Sequence, residues 1–158
     1  MRIRSLLTAA ALAVFGLSLP AGPARAECRD VDVRPDISSR WKDGQGNLRW
    51  PTHEWSTEIT VTVILTPGMV IDRFGCDKGK QFNPQGTAYA SRALPYVCSA
   101  APYSSYRVVK PLVAWSGRAA PWFDQKGGAP QFRTSVTAAE LVADGTLERV
   151  EAGRPSCG

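Results

Sequence analysis

The stretch YRVVKPLVAW, residues 106–115, predicts one or two β-strands interrupted at Pro111, because proline has no N–H to donate to a strand ladder. An earlier stretch, EITVTVIL at residues 58–65, alternates aliphatic side chains with threonine, which is the period-two pattern of a half-buried strand. Near the C-terminus, TLERVE at residues 146–151 is typical of a strand that returns to the sheet.

One helix is predicted just before that last strand. Thr137 and Glu140 have the spacing of a capping box, and Gly145 stands where a helix would end. The chain is therefore expected to be an α+β protein, with a small, mainly antiparallel sheet and one or two short helices.

The first 26 residues have the pattern of a secretory signal peptide. Arg2 and Arg4 precede an apolar run at residues 6–19, and the segment closes with small residues at Ala24 and Ala26. Without it, the net charge falls from +5 to +2, since three arginines leave with the leader. A secreted protein without nucleic-acid partner or membrane span is expected, with an N-terminal arm at residues 27–57 and one domain at residues 58–158.

The four cysteines predict two disulfides that staple the domain. An even number of cysteines in an exported chain is typical of disulfide pairing, which the sequence leaves open among three arrangements. No metal site is expected, because His53 is the only histidine and the cysteines are widely dispersed. The residues concerned are Cys28, Cys76, Cys98 and Cys157.

Residues 71–95, IDRFGCDKGKQFNPQGTAYASRALP, combine positive charge with glycine and proline. We interpret this stretch as a functional loop, since binding groups are often carried on loops. Asp72 next to Arg73 could equally be a structural ion pair. No nucleophile elbow of the G-x-S-x-G type and no motif of paired carboxylates occurs in the chain.

Several separated motifs resemble, in order, the tuberculosis necrotizing toxin domain, a family of NAD glycohydrolases found in bacterial toxins and secreted fungal enzymes. They are DRFG at residues 72–75, PQGT at residues 84–87, RALP at residues 92–95, the later stretches YRVVKPL and APWFDQKGGAPQF, and DGTLERV. The resemblance runs from about residue 70 to residue 150.

The resemblance implies NAD or NADP as substrate, no cofactor, and a set of site residues. Arg73 and Gln131 would act at the reacting ribose, Arg92 would contact phosphate, and Phe74 would form a wall of the pocket. Gln81 and Phe82 are included as binding residues, although an aromatic residue is commonly found where this chain has Gln81. The toxin members of the family also suggest an immunity protein as a partner.

Two other functions are weighed against hydrolysis. An ADP-ribosyltransferase would pass the ribosyl group to a protein, but it usually needs a catalytic glutamate, and no such motif is visible. A non-catalytic secreted binding module could have the same fold. Release of free nicotinamide from NAD would distinguish hydrolysis from binding.

Overall fold

The computed structural model describes residues 31–50 and 61–157. The predicted signal peptide therefore lies outside the described residues, as do Cys28, His53 and the start of the predicted strand at residues 58–65. Within the described part, no helix is long and apolar enough to cross a lipid bilayer.

A seven-stranded sheet forms the body of the protein, and each of its strand pairs is antiparallel. The strand order across the sheet is β1-β5-β6-β3-β2-β4-β7. The strands are β1 (Val61–Leu65), β2 (Val70–Phe74), β3 (Gln81–Pro84), β4 (Tyr103–Val108), β5 (Leu112–Arg118), β6 (Pro130–Arg133) and β7 (Leu147–Val150).

The α+β prediction and its local signals are confirmed. The stretch around Pro111 forms two strands, β4 and β5, which lie apart in the sheet. The helix α1 (Ala138–Ala143) has the complete capping box: the Glu140 N–H donates to Thr137 Oγ1, and the Thr137 N–H donates to the Glu140 carboxylate. Gly145 follows the helix at φ +72°, a backbone conformation that glycine adopts without penalty.

The interpretation of residues 71–95 as a loop is wrong. They contain β2, β3 and a 3-10 helix, Tyr89–Arg92. These strands lack the alternation of apolar and polar residues that would have predicted them. They can be buried nevertheless, because the polar side chains of Asp72 and Asn83 are hydrogen-bonded within the protein. Its glycines, including Gly75 and Gly86 at positive φ, stand in the turns.

Two hydrophobic clusters stabilise the sheet. The main cluster includes Phe82 and Tyr106, whose rings meet edge to face at 5.7 Å, together with Leu141 of α1. The second cluster is built around Phe74 and Tyr89, with ring centroids 4.7 Å apart. The second cluster lies beside the end of β2, where the candidate site begins.

A disulfide between Cys98 and Cys157 ties the C-terminal tail to the second cluster. Cys76 is also disulfide-bonded, and none of the described cysteines is a free thiol. Arg154 in the tail lies over the Phe74 ring at 5.0 Å and donates to the carbonyl of Ala101 at 2.9 Å. The tail is thus part of the packed domain.

Removing this disulfide should destabilise the protein measurably. The crosslink joins residues 59 apart in sequence, so its loss in a Cys98→Ser, Cys157→Ser double variant should lower the free energy of unfolding by about 2–4 kcal/mol. Urea unfolding followed by circular dichroism measures this difference. Equal unfolding midpoints for the variant and the parent would show that the disulfide contributes nothing to stability.

Candidate active site

A cavity of about 520 Å³ opens beside the β2–β3 turn. Its other walls are the segment that follows the 3-10 helix Tyr89–Arg92, the connection from β5 to β6, and Trp50 of the N-terminal arm. The described residues that line it include Arg73, Lys78 and Arg92 but no aspartate or glutamate. The electrostatic character of the cavity therefore favours an anionic ligand.

Arg73, on β2, is the most unusual of these lining residues. It is only 6% exposed, and its one hydrogen bond within the described part of the chain is from Nη1 to the main-chain oxygen of Gln81, at 3.1 Å. Its Nε is buried without a partner, and no carboxylate pairs with it among the described residues. Burial lowers the pKa of the guanidinium to about 10, so at neutral pH it is a cation with unused donors.

Gly79 makes the position of Arg73 possible. A Cβ atom at residue 79 would overlap the guanidinium of Arg73. The β2–β3 turn that carries Gly79 is itself fixed, because the first amides of α1 donate to it: Ala138 to the Gly79 oxygen and Ala139 to the Asp77 oxygen, both at 3.0 Å. These bonds satisfy helix N–H groups that would otherwise lack partners.

Asp77, a residue of the same turn, anchors it through its side chain. Its carboxylate accepts a 2.6 Å hydrogen bond from the Tyr106 hydroxyl and pairs with Arg149. Burial raises the pKa of Tyr106, which keeps the phenol protonated as a donor. The turn therefore has little freedom to move away from the cavity.

Arg92 lines the cavity, but the donors of its side chain are all hydrogen-bonded within the protein. Its guanidinium makes two bonds to Asp72, at 2.6 and 3.0 Å, one to Asn83 at 3.0 Å, and two to the Thr87 oxygen, at 3.0 and 2.7 Å. These five bonds use all five donors of an arginine. A phosphate contact through Arg92 would break one of them, and its predicted binding role stays a prediction.

The carboxylate of Asp72 does not pair with Arg73, its neighbour in sequence. Successive side chains of a strand point to opposite faces, and Asp72 instead bonds Arg92, the Gly86 N–H at 3.1 Å and the Tyr103 hydroxyl at 2.9 Å. Asp72 is fully buried in this network. The ion pair considered between Asp72 and Arg73 is therefore absent, and Arg73 is left for a ligand.

The other predicted residues divide into those that line the cavity and one that does not. Gln131 on β6 and Gln81 on β3 both line it, half-buried, on neighbouring strands. Phe74 lines it as well, although it is only 7% exposed and packs in the second cluster. Phe82 is fully buried in the main cluster and does not line the cavity, so we remove it from the candidate binding set.

Sequence reasoning missed the aromatic side of the cavity. Trp50, Tyr96 and Trp122 line it. Trp122 belongs to the motif APWFDQKGGAPQF but was not singled out, whereas Tyr96 and Trp50, which comes from the N-terminal arm, lie outside the motifs. No local signal distinguished Trp50, since single exposed apolar side chains are common on protein surfaces. Lys78, an exposed cation on the β2–β3 turn, was also not singled out.

The described residues contain no group of three or more His, Cys, Asp or Glu side chains that could hold a metal ion. The expectation of a reaction without a cofactor stays a prediction. The donors available around the cavity are guanidinium, ammonium, amide and main-chain N–H groups. These groups bind phosphate and sugar oxygens.

Comparison with known proteins places the chain in a family. Residues 64–150, more than half of the chain, match the family model described as tuberculosis necrotizing toxin. A conidial surface nicotinamide adenine dinucleotide glycohydrolase of Aspergillus fumigatus is 37% identical over 97 residues, which cover 55% of this chain. The matched region covers only 40% of that protein.

The fold of this chain is similar to that of a solved structure. The tuberculosis necrotizing toxin, complexed with its immunity factor, matches with a TM-score of 0.54 at 21% sequence identity. The match covers 68% of this chain and 65% of that chain. At this level of identity the likeness supports the fold, and residue roles have to be argued from the cavity itself.

Proposed function

This chain belongs to the tuberculosis necrotizing toxin family, and from that premise we propose that it is a secreted NAD(P) glycohydrolase. The Aspergillus fumigatus relative is named as a nicotinamide adenine dinucleotide glycohydrolase, which supports this choice of substrate. The observation that carries the proposal is Arg73, a buried cation that pairs with no carboxylate among the described residues and stands on the wall of a cavity whose described lining contains no carboxylate.

The proposed reaction breaks the bond between the nicotinamide nitrogen and C1′ of the adjoining ribose. The bonding electrons leave with nicotinamide, which departs neutral, while the oxygen of a water molecule bonds to C1′ and a proton is released to solvent. Because the leaving group needs no protonation, the paired carboxylates of ordinary glycosidases are unnecessary. The protein has to hold the substrate and orient the water.

We assign Arg73 to the phosphate next to the reacting ribose, where a bound anion would use its free donors and offset its buried charge. Lys78, exposed at the rim, adds a second cation for the pyrophosphate. This replaces the phosphate role expected of Arg92. Gln131 is placed at the ribose or the attacking water, since its amide can both donate and accept a hydrogen bond.

The two rival functions receive less support. An ADP-ribosyltransferase would call for a glutamate at the site, whereas the described residues that line the cavity include none. A non-catalytic module could use the same cavity for binding alone. Release of free nicotinamide distinguishes hydrolysis from binding alone, and transfer of the ribosyl group to a protein distinguishes the transferase from the hydrolase.

Secretion and toxicity are parts of the proposal that rest on other observations. The pattern at residues 1–26 supports export, and disulfides such as Cys98–Cys157 persist in oxidising compartments. Removal of NAD from a target cell would make the enzyme a toxin. An immunity protein, which the tuberculosis necrotizing toxin has in its solved complex, is proposed here as a partner on family grounds alone.

The decisive experiment incubates the purified mature protein with NAD and with NADP after dialysis against a strong chelator. Free nicotinamide and ADP-ribose are quantified by chromatography, with and without added protein acceptors. Equal amounts of both products support hydrolysis without a metal cofactor. Nicotinamide without free ADP-ribose would indicate transfer, and binding of NAD without turnover would indicate a binding module.

Gly79→Ala offers a test that leaves the chemistry of every lining side chain unchanged. The new methyl group should displace the Arg73 guanidinium, and a misplacement of about 1 Å can cost on the order of 100-fold in rate. We expect kcat/KM for NAD to fall at least 10-fold with little change in Tm, because a flexible side-chain end absorbs the overlap. Gly153→Ala, where a Cβ meets nothing within 4 Å, is the control.

A further inference from the structure

Trp50 stands apart from the matched family region, since it lies in the predicted N-terminal arm at residues 27–57 and the match begins at residue 64. It nevertheless lines the cavity and is 49% exposed. Two aromatic rings pack against the indole: the ring of Phe123 lies 5.1 Å away in a T-shaped arrangement, and that of Tyr96 lies 6.3 Å away. The rest of this large apolar side chain is open to a ligand.

The arm is fastened to the domain next to this position. The Ser38 N–H and hydroxyl donate to the Asp124 carboxylate at 2.7 and 3.1 Å, and the Arg34 N–H donates to the Pro95 oxygen at 2.9 Å. Phe123 and Asp124 have left-handed backbone conformations, with φ of +53° and +60°. Such residues cost free energy and persist where surrounding contacts hold them. Contacts between the arm and the domain therefore hold in place the part of the cavity wall that carries Trp50.

We propose that Trp50 is a specificity-determining residue that stacks on the adenine ring of the dinucleotide. This inference rests on the proposed function. Stacking of an aromatic side chain on a flat base is a common way to bind nucleotides. An indole that is about half exposed and held by two aromatic neighbours is suited to this contact.

The exposure of the residues decides which of the two bases lies against Trp50. Arg73, assigned to the reacting end, is 6% exposed, whereas Trp50 is 49% exposed. The reacting ribose and nicotinamide are thus placed at the buried end of the cavity. Adenine, at the other end of the dinucleotide, reaches the open side where Trp50 stands.

Three variants test the proposal. Trp50→Ala should raise KM for NAD roughly 5-fold to 150-fold, the range measured for removal of a base–aromatic stack, while kcat changes less than about 2-fold. Trp50→Phe should restore much of the affinity, because a phenyl ring also stacks. Trp115→Ala is the matched control, since Trp115 is 42% exposed on β5 and does not line the cavity.

Direct binding separates this inference from the proposed function. AMP and nicotinamide are titrated separately into each variant, with tryptophan fluorescence and calorimetry as readouts that need no turnover. Weaker binding of AMP to Trp50→Ala, with nicotinamide unaffected, supports the proposal even if NAD is not hydrolysed. Unchanged AMP affinity in Trp50→Ala, or loss of nicotinamide binding instead, would overturn it, whatever the activity of the parent protein.

Discussion

Arg73→Met is expected to lower kcat/KM for NAD by roughly 100-fold to 10,000-fold, since two charge-assisted hydrogen bonds to substrate are each worth about 1.5–3 kcal/mol. The fold should not weaken. Burial already disfavours the charged form, which is why the pKa of Arg73 falls to about 10, and the one hydrogen bond that it makes to the described residues is to the Gln81 oxygen. Removing this charge should leave the free energy of unfolding equal or about 1 kcal/mol higher.

Steady-state kinetics and thermal unfolding with and without ADP-ribose check this result. ADP-ribose should raise the Tm of the parent protein but not that of Arg73→Met, because a ligand stabilises only a state that binds it. Arg107→Met is the control: Arg107 forms an exposed pair with Glu148 at 3.3 Å, and its loss should change activity little. Full hydrolysis by a folded Arg73→Met protein would remove Arg73 from the mechanism.

Asp72→Asn should destabilise the protein by about 3–5 kcal/mol, the usual cost of removing one partner of a buried ion pair. The Arg92 side chain is 1% exposed and would keep its charge without a carboxylate. The amide of Asn keeps one acceptor oxygen, so it cannot replace both carboxylate oxygens, of which one accepts from Arg92 and the other from Arg92, the Gly86 N–H and the Tyr103 hydroxyl. Urea unfolding gives the free energy, and we expect the loss of activity to follow the loss of folded protein.

Two further variants show whether the loss comes from the unpaired charge. Combining Asp72→Leu with Arg92→Met should recover part of the stability lost in Asp72→Asn, because no buried charge remains. Glu148→Gln, which breaks the exposed pair with Arg107, should cost less than about 1 kcal/mol. A stable Asp72→Asn protein that fails only in substrate capture would instead return Arg92 to the phosphate role.

The sequence by itself determined the features that depend on near neighbours. The capping box of Thr137 and Glu140, the end of the helix at Gly145 and the break between strands at Pro111 each follow from backbone chemistry within a few residues. The order of the motifs across residues 70–150 also indicated the family. Such signals need no knowledge of how distant segments meet.

Tertiary structure decided which polar groups are hydrogen-bonded within the fold and which remain available to a ligand. Asp72 adjoins Arg73 in the chain but bonds Arg92, 20 residues away, because strand alternation separates neighbours and sheet pairing joins distant segments. The pairing of Cys98 with Cys157 and the placement of Trp50 on the cavity wall depend equally on contacts between remote segments. A local pattern carries no information about such contacts, since a side chain's partners depend on the completed packing.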